Sequence, residues 1–378
     1  MPDFDAIIIG GGLVGTAVAY GLARRGKKAV VLDEGDIAYR ASRGNFGLVW
    51  VQSKGFGVPQ YQRWTRRSSE DWAAFSAELK KETGIYSGHE RPGGVTICLT
   101  EEEFAKRRQR MEQLHLEAGE TKFDYEMLDH AALKKLIPAI GPEVVGASYT
   151  PYDGHANPLY TLRALHAALL KHGGAYVPNV KVESINAAPN RFSISVGGTT
   201  YAAPRLVLGA GLGNNALGKL VGLNVPVRPS RGQIIVTERV QPVLPMPTLM
   251  IRQTVEGTLM IGESREDAGF DDTTSPEIMH TLADRAAKTF PFLRNTRIVR
   301  TWAALRVMAP DGLPIYEQSS EFPGAFVCTC HSGVTLAAAH ALHYAGYVID
   351  GALPAELARF STQRFDDVHD VHTIAAQH

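Results

Sequence analysis

Cysteine, long hydrophobic runs and an excess of charge of one sign are all missing from this sequence. Its three cysteines, Cys98, Cys328 and Cys330, are too few for a disulfide framework in 378 residues, so we expect a reducing, cytoplasmic location, with Cys328 and Cys330 as core thiols rather than a metal site. No run approaches the roughly 18 apolar residues of a membrane-spanning helix, and the apolar stretch at 6–9 shows no signal-peptide pattern. Lys plus Arg and Asp plus Glu number 39 each, which argues against a nucleic-acid binder or a polybasic membrane anchor.

Glycine, by contrast, is plentiful, at 37 of 378 residues. Gly10, Gly12 and Gly15 form a G-x-G-x-x-G pattern between a predicted strand at 5–9 and a predicted helix at 16–25. In such a turn the first glycine permits a tight bend and the second lets the backbone approach a pyrophosphate. The third glycine lets the helix pack on the strand, and the helix N-terminus offers unpaired N–H groups to phosphates.

A carboxylate, Asp33, lies eighteen residues after Gly15, at the end of a second predicted strand at 28–33. The two strands and the helix form a βαβ unit, in which such a carboxylate can accept hydrogen bonds from the ribose hydroxyls of a dinucleotide. The strand, the glycine turn, the helix and Asp33 together predict a dinucleotide site rather than an ordinary turn. Leu13, Val14 and Glu34 are assigned to the same site. The pattern does not distinguish NAD from FAD.

Similar mononucleotide-fold pieces recur in the middle and near the end of the chain. A predicted strand at 206–208 opens into Gly209-Ala210-Gly211, and another at 325–329 precedes a predicted helix at 333–350. Strands from distant parts of the chain are therefore expected to join one parallel sheet.

The intervening segments have a different pattern. Residues 233–261 are strand-like, and the helix predicted at 101–118 carries a run of charges that we expect to face solvent. We predict an α/β fold, with a discontinuous Rossmann-type cofactor domain and an inserted α+β substrate domain built on a mostly antiparallel sheet. The cofactor domain is assigned to 1–84, 149–222 and 300–378, and the substrate domain to 85–148 and 223–299.

The loop after the second strand is rich in backbone donors and contains a serine and an arginine suited to phosphate oxygens. Its sequence is Ala41-Ser42-Arg43-Gly44-Asn45-Phe46-Gly47-Leu48, for which a plain surface loop is the alternative. With this loop the chain resembles the D-amino-acid-oxidase-like flavoprotein family, which includes glycine oxidase, sarcosine oxidase and D-amino-acid dehydrogenases. In that family the equivalent segment lines the FAD pyrophosphate and the isoalloxazine ring.

The resemblance continues in order through the middle of the chain. Asn179-Val180-Lys181-Val182 is similar to a family strand whose first valine meets adenine through its backbone. Val207 to Gly211 is similar to a second glycine-containing FAD segment, and Arg231-Gly232-Gln233 to the R-G-Q stretch of the family.

The C-terminal part carries two further family segments. Trp302-Ala303-Ala304-Leu305-Arg306 is similar to W-A-G-L-R. The run from Cys330 to Leu336 is similar to G-H-x-G-x-x-L, where a helix N-terminus abuts the flavin and would stabilise negative charge on its reduced ring. The sequence departs from the family at Cys330, where glycine is usual, and at Ala338, where proline is usual.

The resemblance implies FAD as the cofactor, bound without a covalent link, and no metal site. Relatives that attach the flavin do so through a cysteine or histidine near the ring, and neither Cys330 nor His331 matches that position clearly. The residues assigned to FAD are Gly10, Gly12, Leu13, Val14, Gly15, Asp33, Glu34, Ser42, Arg43, Asn45, Gly47, Leu48, Val180, Ala210, Gly211, Gly232, Arg306, Ser332, Gly333, Val334 and Thr335.

Three residues are candidates for the reaction itself, which in this family removes a hydride from the carbon next to an amine. Arg306 aligns with the carboxylate-binding arginine of the family, and a purely structural arginine is the alternative. Arg252, on an apolar strand, would add a second carboxylate site suited to an opine. His331 either places a proton near the flavin or merely packs there, and Trp50 and Tyr61 belong either to the pocket or to the core.

The segment Arg40 to Gly55 is similar to the small catalytic subunits of bacterial D-hydroxyproline dehydrogenases and opine-oxidising complexes. It implies oxidation of a D-hydroxyproline, D-proline or opine substrate, with electrons passed to partner flavin and iron–sulfur subunits. This chain lacks the roughly four thiolates that an iron–sulfur cluster needs. The alternatives are a glycine- or sarcosine-type oxidase that uses oxygen, and a non-enzymatic flavin-binding sensor or assembly subunit.

Overall fold

The computed structural model describes residues 4–35 and 41–365. Arg40 and the last residues of the predicted cofactor domain, 366–378, lie outside the described residues. The strands are β1 Ala6–Ile9, β2 Ala29–Leu32, β3 Leu48–Val49, β4 Gly94–Cys98, β5 Glu126–Asp129, β6 Gly146–Thr150, β7 Gly154–His155, β8 Ala175–Val177, β9 Asn186–Ala188, β10 Arg191–Val196, β11 Thr199–Ala203, β12 Arg205–Leu208, β13 Arg228–Arg239, β14 Ile251–Gln253, β15 Thr258–Ile261, β16 Ile298–Met308, β17 Ile315–Gln318 and β18 Ala325–Thr329. The helices are α1 Leu13–Ala23, α2 Pro59–Thr83, α3 Glu101–Ala118, α4 His130–Leu136, α5 Pro158–Lys171, α6 Asn214–Lys219, α7 Pro276–Thr289, α8 Ala337–Ala339 and α9 Ala345–Asp350.

A six-stranded sheet in the order β17-β18-β12-β1-β2-β8 forms the Rossmann-type part of the fold. All neighbours are parallel except β17 and β18. Ala6 of β1 lies opposite Arg205 of β12, and Leu206 of β12 lies opposite Ala325 of β18, so strands from the start, middle and end of the chain pair directly. Both faces of β1 and β18 are buried, which explains their continuous apolar runs. The predicted sheet from distant segments is confirmed.

The other strands form antiparallel sheets, in the orders β14-β15-β13-β16, β4-β6-β5 and β11-β10-β9, with β3 and β7 as a separate pair. The predicted α/β class, with a parallel sheet and separate antiparallel sheets, is confirmed. Strands β6 and β16 run across the predicted boundaries at 148/149 and 299/300, because they pair with strands assigned to the substrate domain. The division into two domains at those boundaries stays a prediction.

Helix α3 has the predicted bounds because both of its ends are specified locally. Thr100 Oγ1 accepts a hydrogen bond from the Glu103 amide at 3.1 Å, and the Glu103 carboxylate accepts one from the Leu99 amide at 2.8 Å. This exchange resembles a capping box, which satisfies amides that the first turn leaves unpaired. Gly119, with a φ of +56°, ends the helix.

The predicted helix at 333–350 begins four residues later, at Ala337, and contains a π-helical turn at His340–Tyr344. The carbonyl oxygens of Val334 and Thr335 accept hydrogen bonds from the Trp72 indole at 3.1 Å each. Ser68 Oγ also donates to the Thr335 carbonyl, at 2.6 Å. Side chains of α2 therefore bond the carbonyl oxygens that would accept backbone hydrogen bonds in a longer helix. Residues 333–336 form turns instead.

Cys98, Cys328 and Cys330 are buried free thiols, and the predicted burial of Cys328 and Cys330 is confirmed. No helix within residues 4–35 and 41–365 is long and apolar enough to cross a bilayer. Across the same ranges, no three His, Cys, Asp or Glu side chains are grouped so that they could hold a metal ion.

Candidate functional site

Glycine is required in the first turn because three backbone segments meet there. Gly10 has a φ of +108°, and a Cβ on it would lie 2.5 Å from the Gly209 carbonyl oxygen. A Cβ on Gly15 would lie 2.0 Å from the Gly10 carbonyl oxygen. The turn after β1, the first turn of α1 and the turn after β12, which continues through Ala210 and Gly211, are thus in direct backbone contact. The predicted glycine motif and the second glycine segment therefore lie against each other.

The N-terminus of α1 is shaped to receive a ligand. Its N-cap residue is Gly12, which provides no side-chain cap. The Leu13 amide donates to Ser42 Oγ at 2.9 Å, and a Cβ on Gly12 would lie 2.9 Å from the same oxygen. Val14 lies beside Gly333, so this end of the helix also meets the C-terminal turn. The arrangement fits a phosphate group, because helix N-termini offer backbone donors and a partial positive charge.

Asp33 lies next to the same turn, at the end of β2. It is buried, and its carboxylate accepts hydrogen bonds from the Gly11 amide at 2.6 Å and the Gly35 amide at 3.1 Å. Glu34 beside it is exposed. The predicted strand at Val180 is wrong, because Asn179 has a left-handed φ of +60° and interrupts the extended chain. The Val180 amide nevertheless donates to the Asp33 carbonyl at 2.9 Å, which brings the two predicted residues together.

Replacing Asp33 with Ala is expected to weaken FAD binding, because a buried charged acceptor is lost from both the turn and the predicted ribose contact. The expected loss is about 1.5–3 kcal/mol, or roughly a tenfold to hundredfold rise in the dissociation constant. Flavin fluorescence during titration of the apoprotein measures it, with the exposed Asp272→Ala as the control. An unchanged dissociation constant would show that Asp33 does not serve the cofactor.

The loop at 41–48 lies between this turn and a cavity. Arg43 is exposed, whereas Asn45 Oδ1 accepts a hydrogen bond from the Gly47 amide at 2.8 Å and closes a tight turn. Gly47 has a φ of +95°, and a Cβ on it would lie 2.4 Å from the Ala156 carbonyl oxygen. Leu48 then enters β3. The loop is therefore an ordered wall rather than a plain surface loop.

The inner cavity has a volume of about 170 Å³ and lies between this loop, strands β13 and β16, and the turn at 331–335. Eight of the predicted site residues line it: Asn45, Leu48, Gly232, Arg306, His331, Ser332, Val334 and Thr335. The indole N–H of Trp50, which also lines it, is buried and has no hydrogen-bond partner among the described residues. This unpaired donor suits a hydrogen-bond acceptor such as a carbonyl oxygen of an isoalloxazine ring.

Arg306 is held in this cavity from one side. Its Nη1 donates to the Ser264 carbonyl at 2.7 Å and to the Arg231 carbonyl at 3.3 Å. The guanidinium lies over Gly232, where a Cβ would come within 2.4 Å of Nη1. Burial lowers the pKa of Arg306, and the group stays charged at neutral pH. Its Nε and Nη2 make no hydrogen bond to the described residues, so two donors remain for a carboxylate.

Arg252 does not line the inner cavity. It is buried on β14, where its Nε donates to the Phe46 carbonyl and its Nη2 lies 3.0 Å from Met260 Sδ. Burial lowers its pKa to about 10. The structure thus does not bring Arg252 and Arg306 together in one cavity, because the Arg252 guanidinium is hydrogen-bonded to the backbone of the loop at 41–48.

His331 faces a lysine that no sequence motif marks. Lys54 Nζ lies 2.7 Å from His331 Nε2, and Ser332 Oγ lies 3.2 Å from the same nitrogen. Tyr61 donates to Ser332 Oγ at 2.9 Å. Burial and then the Lys54 charge hold the pKa of His331 well below its usual value, so we assign a neutral ring that accepts at Nε2. Burial and the nearby Arg265 lower the pKa of Lys54 to about 8.

Arg265 and Glu263, which follow β15, were not predicted as site residues either. Both line the inner cavity, and Arg265 Nη2 lies 3.2 Å from Glu263 Oε1. Glu263 has a φ of +88°, an unusual conformation for a residue with a side chain and one that concentrates at functional sites. No motif points to these two residues or to Lys54, because all three lie on loops. The only sequence signal is the polar run after the apolar β15.

A family model described as FAD dependent oxidoreductase (DAO) matches residues 5–346, which include the glycine turn and the inner cavity. A subunit of the opine oxidase of Agrobacterium tumefaciens (strain Ach5) is 44% identical over 365 residues, which cover 97% of this chain and 98% of that protein. The corresponding opine oxidase subunit of Rhizobium meliloti is 43% identical over 366 residues, which cover 97% and 99%. The crystal structure of glycine oxidase from Geobacillus kaustophilus aligns with a TM-score of 0.86 at 25% identity, covering 95% of this chain and 98% of that one.

Proposed function

The chain belongs to the FAD-dependent oxidoreductase family DAO, and on that basis we propose that it oxidises the C–N bond of a secondary amino acid of the opine type. Bound FAD would supply the acceptor for the hydride that leaves the carbon next to the nitrogen, which would turn the neutral amine into a protonated imine. The observation that carries the proposal is the charge of the inner cavity, where Arg306, Arg265 and Lys54 oppose the single carboxylate of Glu263. Sequence similarity to the opine oxidase subunit of Agrobacterium tumefaciens supports the same substrate type.

These side chains bind and orient the substrate. The two donors of Arg306 that have no partner among the described residues suit one carboxylate in a bidentate arrangement. Lys54 and Arg265 supply positive charge for a second carboxylate, which is the role predicted from the sequence for Arg252. An opine carries two or more carboxylates on one secondary amine and so matches this set of cations. A small amino acid with one carboxylate, such as D-proline, would leave part of the charge unused.

The amine must be neutral when the hydride leaves, because the nitrogen lone pair stabilises the forming imine. An excess of positive charge in the cavity disfavours the ammonium form of the substrate. The neutral His331 contributes no further charge and accepts a hydrogen bond from Lys54, which fixes the position of the ammonium group. His331 is therefore a positioning residue for Lys54 in this proposal.

The pH dependence of inhibitor binding tests the role of Lys54. Because its pKa is lowered to about 8, Lys54 is mostly charged at pH 7 and mostly neutral at pH 9. The inhibition constant of glutarate, which has no amine and is fully ionised over this range, should rise about five- to tenfold between those values. In Lys54→Met the constant should be high and independent of pH, whereas the exposed Lys135→Met should behave like the wild type. A wild-type constant that stays flat contradicts this role.

The electron acceptor distinguishes the proposal from its oxidase alternative. We extend the proposal to a dehydrogenase that passes its electrons to partner flavin and iron–sulfur subunits, which is supported by two relatives whose names make them single subunits of an opine oxidase. The purified chain should therefore turn over an opine with an artificial dye and form peroxide only slowly. Peroxide formation at the rate of the dye reaction would favour the glycine-oxidase type of chemistry instead.

The FAD is proposed to be non-covalently bound. Burial raises the pKa of the Cys330 thiol to about 12, which leaves it without the thiolate that attack on a flavin would need. Acid precipitation should release yellow flavin into the supernatant. Colour retained in the pellet would contradict this.

A further inference from the structure

A second, wider cavity adjoins the inner one. This outer cavity has a volume of about 520 Å³, and six residues line both cavities: Ser53, Lys54, Leu249, Glu263, Arg265 and His331. The shared residues make the two cavities neighbours, so an arm of a ligand that reaches past Lys54 and Arg265 would enter the outer cavity. The far wall of the outer cavity is one face of α3.

This face of α3 consists of charged residues at helical spacing. Glu103, Lys106, Arg107 and Arg110 stand at positions i, i+3, i+4 and i+7, and all four line the outer cavity. The expectation that the charge run at 101–118 faces solvent is wrong for Arg107, which is buried, whereas Lys106 and Arg110 are exposed where they line the cavity. Arg107 is buried because of tertiary contacts. Strand β4, which precedes α3, pairs with β6, and Ser148 of β6 accepts a hydrogen bond from the Arg107 guanidinium.

Most ion pairs at the outer cavity are satisfied within the protein. The Glu103 carboxylate accepts hydrogen bonds from both Nη groups of Arg285, at 2.8 and 2.9 Å. Lys106 forms an ion pair with Glu102 at 2.5 Å. Arg107 and Arg110, in contrast, make no ion pair with a carboxylate among the described residues. The guanidinium of Arg110 lies over the Phe56 ring, 5.6 Å from its centroid, and both residues line the cavity.

Arg107 is a fixed cation rather than a mobile one. It is buried, its Nε donates to Ser148 Oγ at 2.7 Å, and its Nη2 donates to the Gln52 carbonyl at 2.9 Å. Gln52 in turn donates from its side-chain amide to Asp153 at 2.5 Å. Burial lowers the pKa of Arg107 to about 10, so it is charged at neutral pH. The direct hydrogen-bond partners of this buried cation are neutral, and Asp153 acts on it only through space, so the desolvated guanidinium is suited to an anionic ligand.

We propose that the outer cavity is a second anion subsite, in which Arg107 and Arg110 bind a carboxylate arm of the substrate beyond the carboxylates held in the inner cavity. The inference rests on the proposed function and narrows its substrate class to opines derived from acidic amino acids. Such molecules carry a third carboxylate at the end of a flexible side chain. The inner cations hold the carboxylates next to the amine, and the α3 face holds the third one.

An isosteric substrate pair tests this subsite. N-(1-carboxyethyl)glutamate and N-(1-carboxyethyl)glutamine have the same shape and differ by one carboxylate. Arg110→Gln should raise KM for the glutamate derivative about three- to fivefold, the effect of one exposed ion pair, and leave kcat unchanged. The glutamine derivative should be unaffected. Equal changes for both substrates, or no change for either, would overturn the subsite.

Two further variants guard against indirect effects. Arg108→Gln is the matched control, because Arg108 is exposed on the same helix but does not line the cavity. Lys106→Gln should produce a smaller selective rise in KM, since the charge of Lys106 is already paired with Glu102. A selective change in Arg108→Gln as large as that in Arg110→Gln would contradict a specific site.

Calorimetry separates the subsite from the reaction. Propane-1,2,3-tricarboxylate should bind the wild-type holoenzyme more tightly than glutarate, and Arg110→Gln should remove most of that difference. This measurement needs no turnover, so it still tests the subsite if neither opine is oxidised. Failure to oxidise either opine would contradict the proposed function but not the subsite. Equal affinity of the wild type for both acids would overturn the subsite.

Discussion

Arg306→Lys is expected to raise KM for a carboxylate substrate about tenfold to hundredfold while the flavin stays bound. Lysine keeps the positive charge but lacks the planar fork that lets Arg306 rest on the Ser264 and Arg231 carbonyls and still offer two donors. Steady-state kinetics measure the change in KM, and the ratio of flavin to protein absorbance measures cofactor content.

The control for this substitution lies on the same strand. Arg300→Lys changes an exposed residue of β16 outside the inner cavity and should leave KM unchanged. An unaltered KM in Arg306→Lys would contradict the carboxylate role. Loss of the flavin with an otherwise normal fold would assign Arg306 to the cofactor instead.

Gly15→Ala is expected to abolish stable FAD binding. The new Cβ would lie 2.0 Å from the Gly10 carbonyl oxygen, and backbone cannot yield as a flexible side chain can. Overpacking of this kind costs about 1–3 kcal/mol or more, and here the shift would separate α1 from the turn that is proposed to receive the pyrophosphate. The cofactor content of the purified variant and its thermal unfolding midpoint provide the measurement.

Gly346→Ala is the matched control for Gly15→Ala. It is also a helical glycine, but a Cβ built on it meets nothing within 4 Å. The change should leave FAD content intact and stabilise the fold by about 0.4–1 kcal/mol, because alanine restricts the unfolded chain. Full FAD occupancy in Gly15→Ala would contradict the assigned role of the glycine turn.

The sequence predicted elements whose signals are local. Helix α3 was predicted with its observed bounds because Thr100 and Glu103 cap it and Gly119 ends it. Strand β18 was likewise predicted correctly, since a buried parallel strand is a continuous apolar run. The helix at 337–350 was placed too early, because the carbonyls that shorten it are taken by side chains of α2.

Side-chain directions and loop positions could not be predicted in the same way. Arg252 was correctly expected on an apolar strand, but which cavity it faces depends on the Phe46 carbonyl of a distant loop. Lys54 and Arg265 are far apart in sequence and meet only after β15 and the loop before α2 are folded. The charged face of α3 became a cavity wall through the pairing of β4 with β6.

Anaerobic titration of the purified, FAD-loaded chain with an opine tests the central claim most directly. Loss of the flavin absorbance band reports hydride transfer without involving oxygen or any partner protein. The account predicts that N-(1-carboxyethyl)glutamate bleaches the band, and that its carboxylate methyl esters, which cannot bind Arg306 and Lys54 as anions, do not. An unbleached flavin across opines and simple D-amino acids, or equal bleaching by the esters, would contradict it.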